Sequence, residues 1–127
     1  MAEGVFLVMS DPYPGQDAEF DRWYVDEHMV ETLAEMPGLT YAQRFRRDDW
    51  IGIPARFPGY LTVYGVADGA AEGLKVAVAR QREEVAAARA ANRPPARLAI
   101  SPTMNLESLS SGIFVPTSAR VLSPHLR

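Results

Sequence analysis

The sequence predicts an α+β fold, a ferredoxin-like β-α-β-β-α-β chain whose antiparallel sheet carries both helices on one face. Three observations predict it. Short runs rich in valine and aromatics, "GVFLVMS" (4–10) and "YLTVYGVA" (60–67), have the composition of strands. Two longer segments, 17–36 and 69–92, have helical character and separate strand-like runs. The breaks between them carry Pro, Gly or Asp. At 127 residues the chain reads as one domain over 1–127, with 102–127 as a C-terminal extension.

The elements follow in order. The first strand ends in "DPYPGQD", where two prolines and a glycine make a loop. Asp17 is a good N-cap, and Phe20, Trp23, Tyr24, Val30 and Ala34 then recur at helical spacing. The helix ends at Met36, because Pro37 disfavours helical geometry before it and Gly38 suits the exit. "LTYAQRFRR" (39–47) reads as a second strand, with Leu39, Tyr41, Gln43 and Phe45 on one face and Thr40, Ala42, Arg44 and Arg46 on the other. Residues 48–59 form a loop by Pro and Gly content, and "YLTVYGVA" is the third strand. An alanine-rich helix from Gly69 to Asn92 stops at "RPP" (93–95), "ARLAIS" (96–101) is the fourth strand, and "GIFVP" (112–116) is a candidate edge strand or partner contact. Apolar residues lie on both faces of the third strand, Leu61 and Val63 against Tyr64 and Val66. Helices cover only one face, so a second copy of the chain is expected on the other.

Composition narrows the function classes. A net charge of −3 gives no basic surface for nucleic acid, and Arg44, Arg46 and Arg47 are too few to supply one. With no cysteine, disulfides, thiolate metal sites and cysteine nucleophiles are excluded. Two histidines without metal-ligand spacing argue against a transition-metal site. No apolar run approaches the ~18 residues of a membrane span. The N-terminal run follows acidic Glu3 rather than a basic region, so a soluble cytoplasmic protein is expected. There is no Gly-rich phosphate loop, and "LSSG" has no base beside it in sequence to activate a serine.

The chemistry-bearing residues concentrate on the first helix. Trp23 and Tyr24 precede Glu27 and His28 by one turn; Glu27 and Glu31 project from within the apolar stripe, and His28 sits at its border. A carboxylate in such a stripe is costly unless paired or solvated, so Glu27 either meets an arginine, Arg44 by type, or faces a polar cavity. One reading makes the helix a pocket wall: Trp23 and Tyr24 give flat surface for an aromatic ligand, and His28 is a general base near its natural pKa. The other makes the aromatics core anchors, Glu27 a locally paired residue and His28 an edge residue. Tyr64 needs a partner if buried or else lines a cavity, and Arg44 neutralises Glu27 or binds an anionic group. Asp11, Tyr13 and Asn105 lie near strand ends, where turn chemistry and ligand contact are both open to them.

"EFDRWYVDEHMVETLAEMPGL" followed by "AQRFRR" resembles the EthD-like branch of the dimeric α+β barrel proteins. The positions that carry the likeness are Phe20, Trp23, Tyr24, His28, Pro37, Gly38, Arg44 and Phe45, and "YLTVYGV" and "GIFVPTSARV" resemble the family's third strand and C-terminal segment. The specific part covers about 30 residues of the chain around the first helix. The resemblance implies a homodimer and a cofactor-independent enzyme acting on a small aromatic or polyketide-type molecule. His28 would move a proton, Trp23, Tyr24 and Tyr64 would shape the pocket, and Glu27 or Arg44 would set its charge. Cyclisation, dehydration, isomerisation or decarboxylation fits one imidazole without metal. The alternatives are a cofactor-free monooxygenase and a non-catalytic binding or stress-associated dimer. One fold hosts many chemistries, so the site must decide.

Overall fold

Strand alternation organises the sheet. In β1 (Gly4–Pro12) Phe6, Val8 and Ser10 are buried, while Val5, Leu7 and Met9 are half-buried on the opposite face. β3 (Tyr60–Val66) repeats the pattern, with Tyr60, Thr62, Tyr64 and Val66 buried and Leu61 and Val63 opposite. The two strands pair antiparallel, from Gly4 opposite Val66 to Ser10 opposite Tyr60. β2 (Leu39–Arg46) flanks β3 and β4 (Met104–Phe114) flanks β1, giving the order β2-β3-β1-β4 of a ferredoxin-like α+β sheet. This computed structural model describes residues 3–48 and 57–126. Of the loop expected over 48–59, residues 49–56 lie outside the described residues.

Both helical segments pack on the Phe6–Tyr64 face. The first comprises α1 (Asp17–Trp23), a π-turn (Tyr24–His28) and α2 (Met29–Glu35); the second is α3 (Ala71–Ala90). Leu74 of α3 joins Phe6, Val8, Tyr64 and Val66 in one core cluster, and Phe20, Trp23 and Tyr24 join Tyr60 and Met104 in another. Among the described residues no helix is long and apolar enough to cross a membrane.

The helix ends follow backbone chemistry. Met36 turns extended, Pro37 follows, and Gly38 takes a φ of +79° that a side chain disfavours. A Cβ on Gly38 would also lie 2.5 Å from the Cβ of Ala70, so glycine is required twice over. At the end of α3, Asn92 adopts a φ of +53°, its N–H bonds the Arg89 carbonyl, and the Arg93 N–H bonds the Ala88 carbonyl. That is a Schellman stop, set one residue before the "RPP" expected to end the helix.

Three expectations need correction. Residues 96–101 are not a strand: Leu98 has a φ of +51°, which breaks an extended backbone and turns its side chain into the core. The fourth strand is Met104–Phe114 instead, so "GIF" (112–114) completes it and the C-terminal segment contributes an edge strand. Asp17 is not the N-cap but the first helical residue, and its carboxylate accepts the Tyr60 hydroxyl at 3.1 Å. In β2 the expected alternation switches at a bulge between Leu39 and Tyr41, which lets both Leu39 and Ala42 reach the core.

The face away from the helices is apolar. Register places Phe45, Leu61 and Met9 in one row, Gln43, Val63 and Leu7 in the next, and Tyr41, Gly65, Val5 and Phe114 in the third. Tyr41, Phe45 and Phe114 are 43%, 42% and 55% exposed there.

Candidate functional site

The site begins with the helix phase. Continuing the Phe20–Tyr24 face as a regular α-helix would bring Glu27 and Glu31 inward, as the sequence pattern expects. The π-turn over Tyr24–His28 holds one more residue per turn, and every later side chain is rotated accordingly. His28, Met29, Thr32 and Met36 therefore face inward, while Glu27, Val30, Glu31 and Ala34 are exposed. Single-residue winding thus exchanges a carboxylate for an imidazole at the core.

His28 rests against two rings. Its imidazole stacks on Trp23 with centroids 4.6 Å apart and meets the Tyr24 ring edge-on at 4.9 Å. Its Nδ1 is buried without a protein hydrogen-bond partner. Burial, with the Arg44 cation adding to it, lowers its pKa to about 4. The expectation of a base near its natural pKa is corrected accordingly: this imidazole is neutral at pH 7.

Between α3, β4 and the His28 helix lies a cavity of about 160 Å³. Phe6, Val8, Met36, Val78, Leu98 and Met104 give it apolar walls. Tyr24, His28, Thr32, Tyr64 and Gln81 also line it, and Arg82 and Ser111 hydrogen-bond to each other across its border. A single ring fits that volume, since an apolar cavity of about 150 Å³ accommodates benzene.

The polar lining carries buried, unspent hydrogen-bonding capacity. The Tyr64 hydroxyl has Tyr24 and Thr32 as polar neighbours but forms no hydrogen bond of good geometry with either. Desolvation raises its pKa well above the phenol range, so it remains a protonated donor. Thr32 spends its own hydroxyl on the His28 carbonyl at 2.7 Å. Gln81 donates Nε2 to the Arg97 carbonyl at 2.8 Å, and its Oε1 has no protein partner.

Arg44 is a supporting residue and does not line this cavity. Its side chain is 8% exposed, with the guanidinium 3.8 Å from the Tyr24 ring centroid and 5.0 Å from those of Phe20 and Tyr60. It donates to Asp21 at 3.1 Å and to Thr62 at 2.9 Å. The expected pairing with Glu27 is replaced: Glu27 is exposed and accepts from Arg22 at 2.8 Å. Trp23 packs behind His28, outside the cavity lining, whereas Tyr24 and Tyr64 border it.

The strand-end candidates serve the fold. Asp11 accepts the Gly59 N–H at 2.7 Å, and Asn105 accepts that of Glu107 at 3.1 Å. Tyr13 is half exposed beside a separate surface depression that includes Arg89 and Arg93. Gln81 escaped the sequence reading although a signal for it exists. Leu74, Val78, Gln81, Val85 and Ala88 fall at alternating spacings of four and three, one inward stripe in which Gln81 is the single polar member. No protein-family model, curated protein or solved structure matches the chain.

Proposed function

We propose that the protein is a cofactor-independent enzyme that binds a small, single-ring aromatic molecule beside His28 and moves a proton on it. The observation that carries this reading is a neutral imidazole nitrogen, buried and unpaired, at the wall of a ring-sized apolar cavity. In the desolvated pocket, a substrate hydroxyl or acidic C–H placed at Nδ1 gives up its proton to the imidazole. The anion left behind is held by the Tyr64 O–H, which burial keeps protonated. The ion pair so formed favours imidazolium more than the empty pocket does. Cyclisation, dehydration, isomerisation or decarboxylation of a small ring compound follows from such a step. The likeness of the Trp23–His28 segment to EthD-like proteins supports the same reading.

A second reading, a binding protein without catalysis, is favoured by one observation: an imidazole with a pKa of about 4 is a weak base. Thermal-shift screening of wild type and His28→Ala against single-ring phenols and aromatic acids, followed by product analysis, separates the two. Turnover by wild type alone supports the enzyme. Stabilisation without turnover by either form supports the binding protein.

The apolar face opposite the helices supports a homodimer built sheet against sheet, with Leu7, Leu61 and Val63 at the centre of the contact.

A further inference from the structure

The cavity's polar atoms differ in what they can accept from a ligand. At Gln81 the amide orientation is fixed, because Nε2 bonds a backbone carbonyl, a group that only accepts. Oε1 is therefore an acceptor without a protein partner, on a residue that is 8% exposed and lines the cavity. His28, which lines the same cavity, offers a ring nitrogen without a protein partner, and Tyr64 offers one O–H and its lone pairs. Gln81 Oε1 can only accept, and most of the walls around it are apolar.

We infer that Gln81 is a specificity-determining residue and that the pocket selects a single-ring molecule bearing two hydrogen-bond donors, such as a dihydroxybenzene. One hydroxyl is read by Gln81 Oε1 and the other by the His28–Tyr64 pair. A ligand that presents an ether, a carbonyl or a carboxylate to Gln81 leaves two acceptors facing each other out of water. The cost of such an unmade bond corresponds to a preference of at least about tenfold. The inference rests on the cavity being a small-molecule site, as proposed above.

The test compares phenol, the three dihydroxybenzenes and their monomethyl ethers by calorimetry or ligand-observed NMR, on wild type and on Gln81→Met. Methionine keeps the length and suits the apolar stripe. The expected result is one dihydroxybenzene bound at least about tenfold tighter than its monomethyl ether by wild type. That preference falls to near unity in Gln81→Met, while phenol binding persists. Equal binding of hydroxyl and ether forms by wild type overturns the inference without any variant and leaves the pocket intact. A preference that survives in folded Gln81→Met also overturns it. If no ring compound binds wild type, the small-molecule reading itself fails, and this inference with it.

Discussion

At the scale of the residue, His28 couples stability to acidity. The unfolded imidazole titrates near 6.5 and the folded one near 4. Between these values the unfolded chain holds a proton that the folded chain lacks, so acidification through the window favours unfolding. Its contribution is complete above pH 6.5 and lost as the pH falls toward 4, a decrease of roughly 3 kcal/mol. Urea midpoints between pH 4 and 7 should therefore fall more steeply for wild type than for His28→Gln. Arg44 adds to the depression, so Arg44→Met should raise the His28 pKa toward 6.5 in an NMR titration of the ring protons. Exposed Glu27 should behave oppositely to a pocket residue, with Glu27→Gln leaving the melting temperature and ring-ligand affinity unchanged. The sequence made Trp23, Tyr24 and His28 visible as a cluster, since residue type and near neighbours suffice for that. Which of Glu27 and His28 faces inward depends on a winding defect that a periodic template does not contain.

At the scale of the element, the π-turn and Gly38 carry separate predictions. Deleting Asp26 removes the additional residue and restores regular winding, while Met29, Thr32 and Met36 keep their inward phase. Such a variant should fold with little change in melting temperature. His28 would then follow Trp23 by four residues, the neighbour spacing of a regular helix, and keep its seat on that ring, which a retained ring-current shift on the imidazole protons would report. Gly38→Ala, by contrast, should destabilise by about 2 kcal/mol in denaturant unfolding, through left-handed strain and the Ala70 contact. Strands β1, β2 and β3 were legible because alternation and turn residues coincide there. β4 was misplaced because "ARLAIS" has strand composition, yet Leu98 is held in a left-handed conformation by burial of its side chain. The true strand is rich in serine and asparagine, and composition alone does not mark it.

At the scale of the whole molecule, the open sheet face predicts association. On the proposed sheet-to-sheet pairing, wild type should give a dimer by light scattering and Val63→Lys, at the middle of that face, a monomer with the far-UV spectrum retained. The β-α-β-β-α-β order was legible because each helix lies between strand runs, whereas the cavity arises from contacts among β1, β3, α3, β4 and the first helix and has no local signature. The β1–β4 ladder is also interrupted where it borders that cavity. Met9 opposes Ser110 but Asp11 opposes Asn105, so the segment from Leu106 to Leu109 arches away from β1. The Ser108 hydroxyl bridges the gap, accepting the Asp11 N–H at 2.7 Å and donating to the Asn105 carbonyl at 2.6 Å. Leu106 and Leu109, carried on this arch, are cavity walls. Amide hydrogens of 106–109 should accordingly exchange with solvent sooner than those of β3, by local opening that leaves the rest of the sheet closed. A ring compound held against Leu106 and Leu109 should slow that exchange, and the opening rate of the arch would then set how fast the compound arrives and leaves.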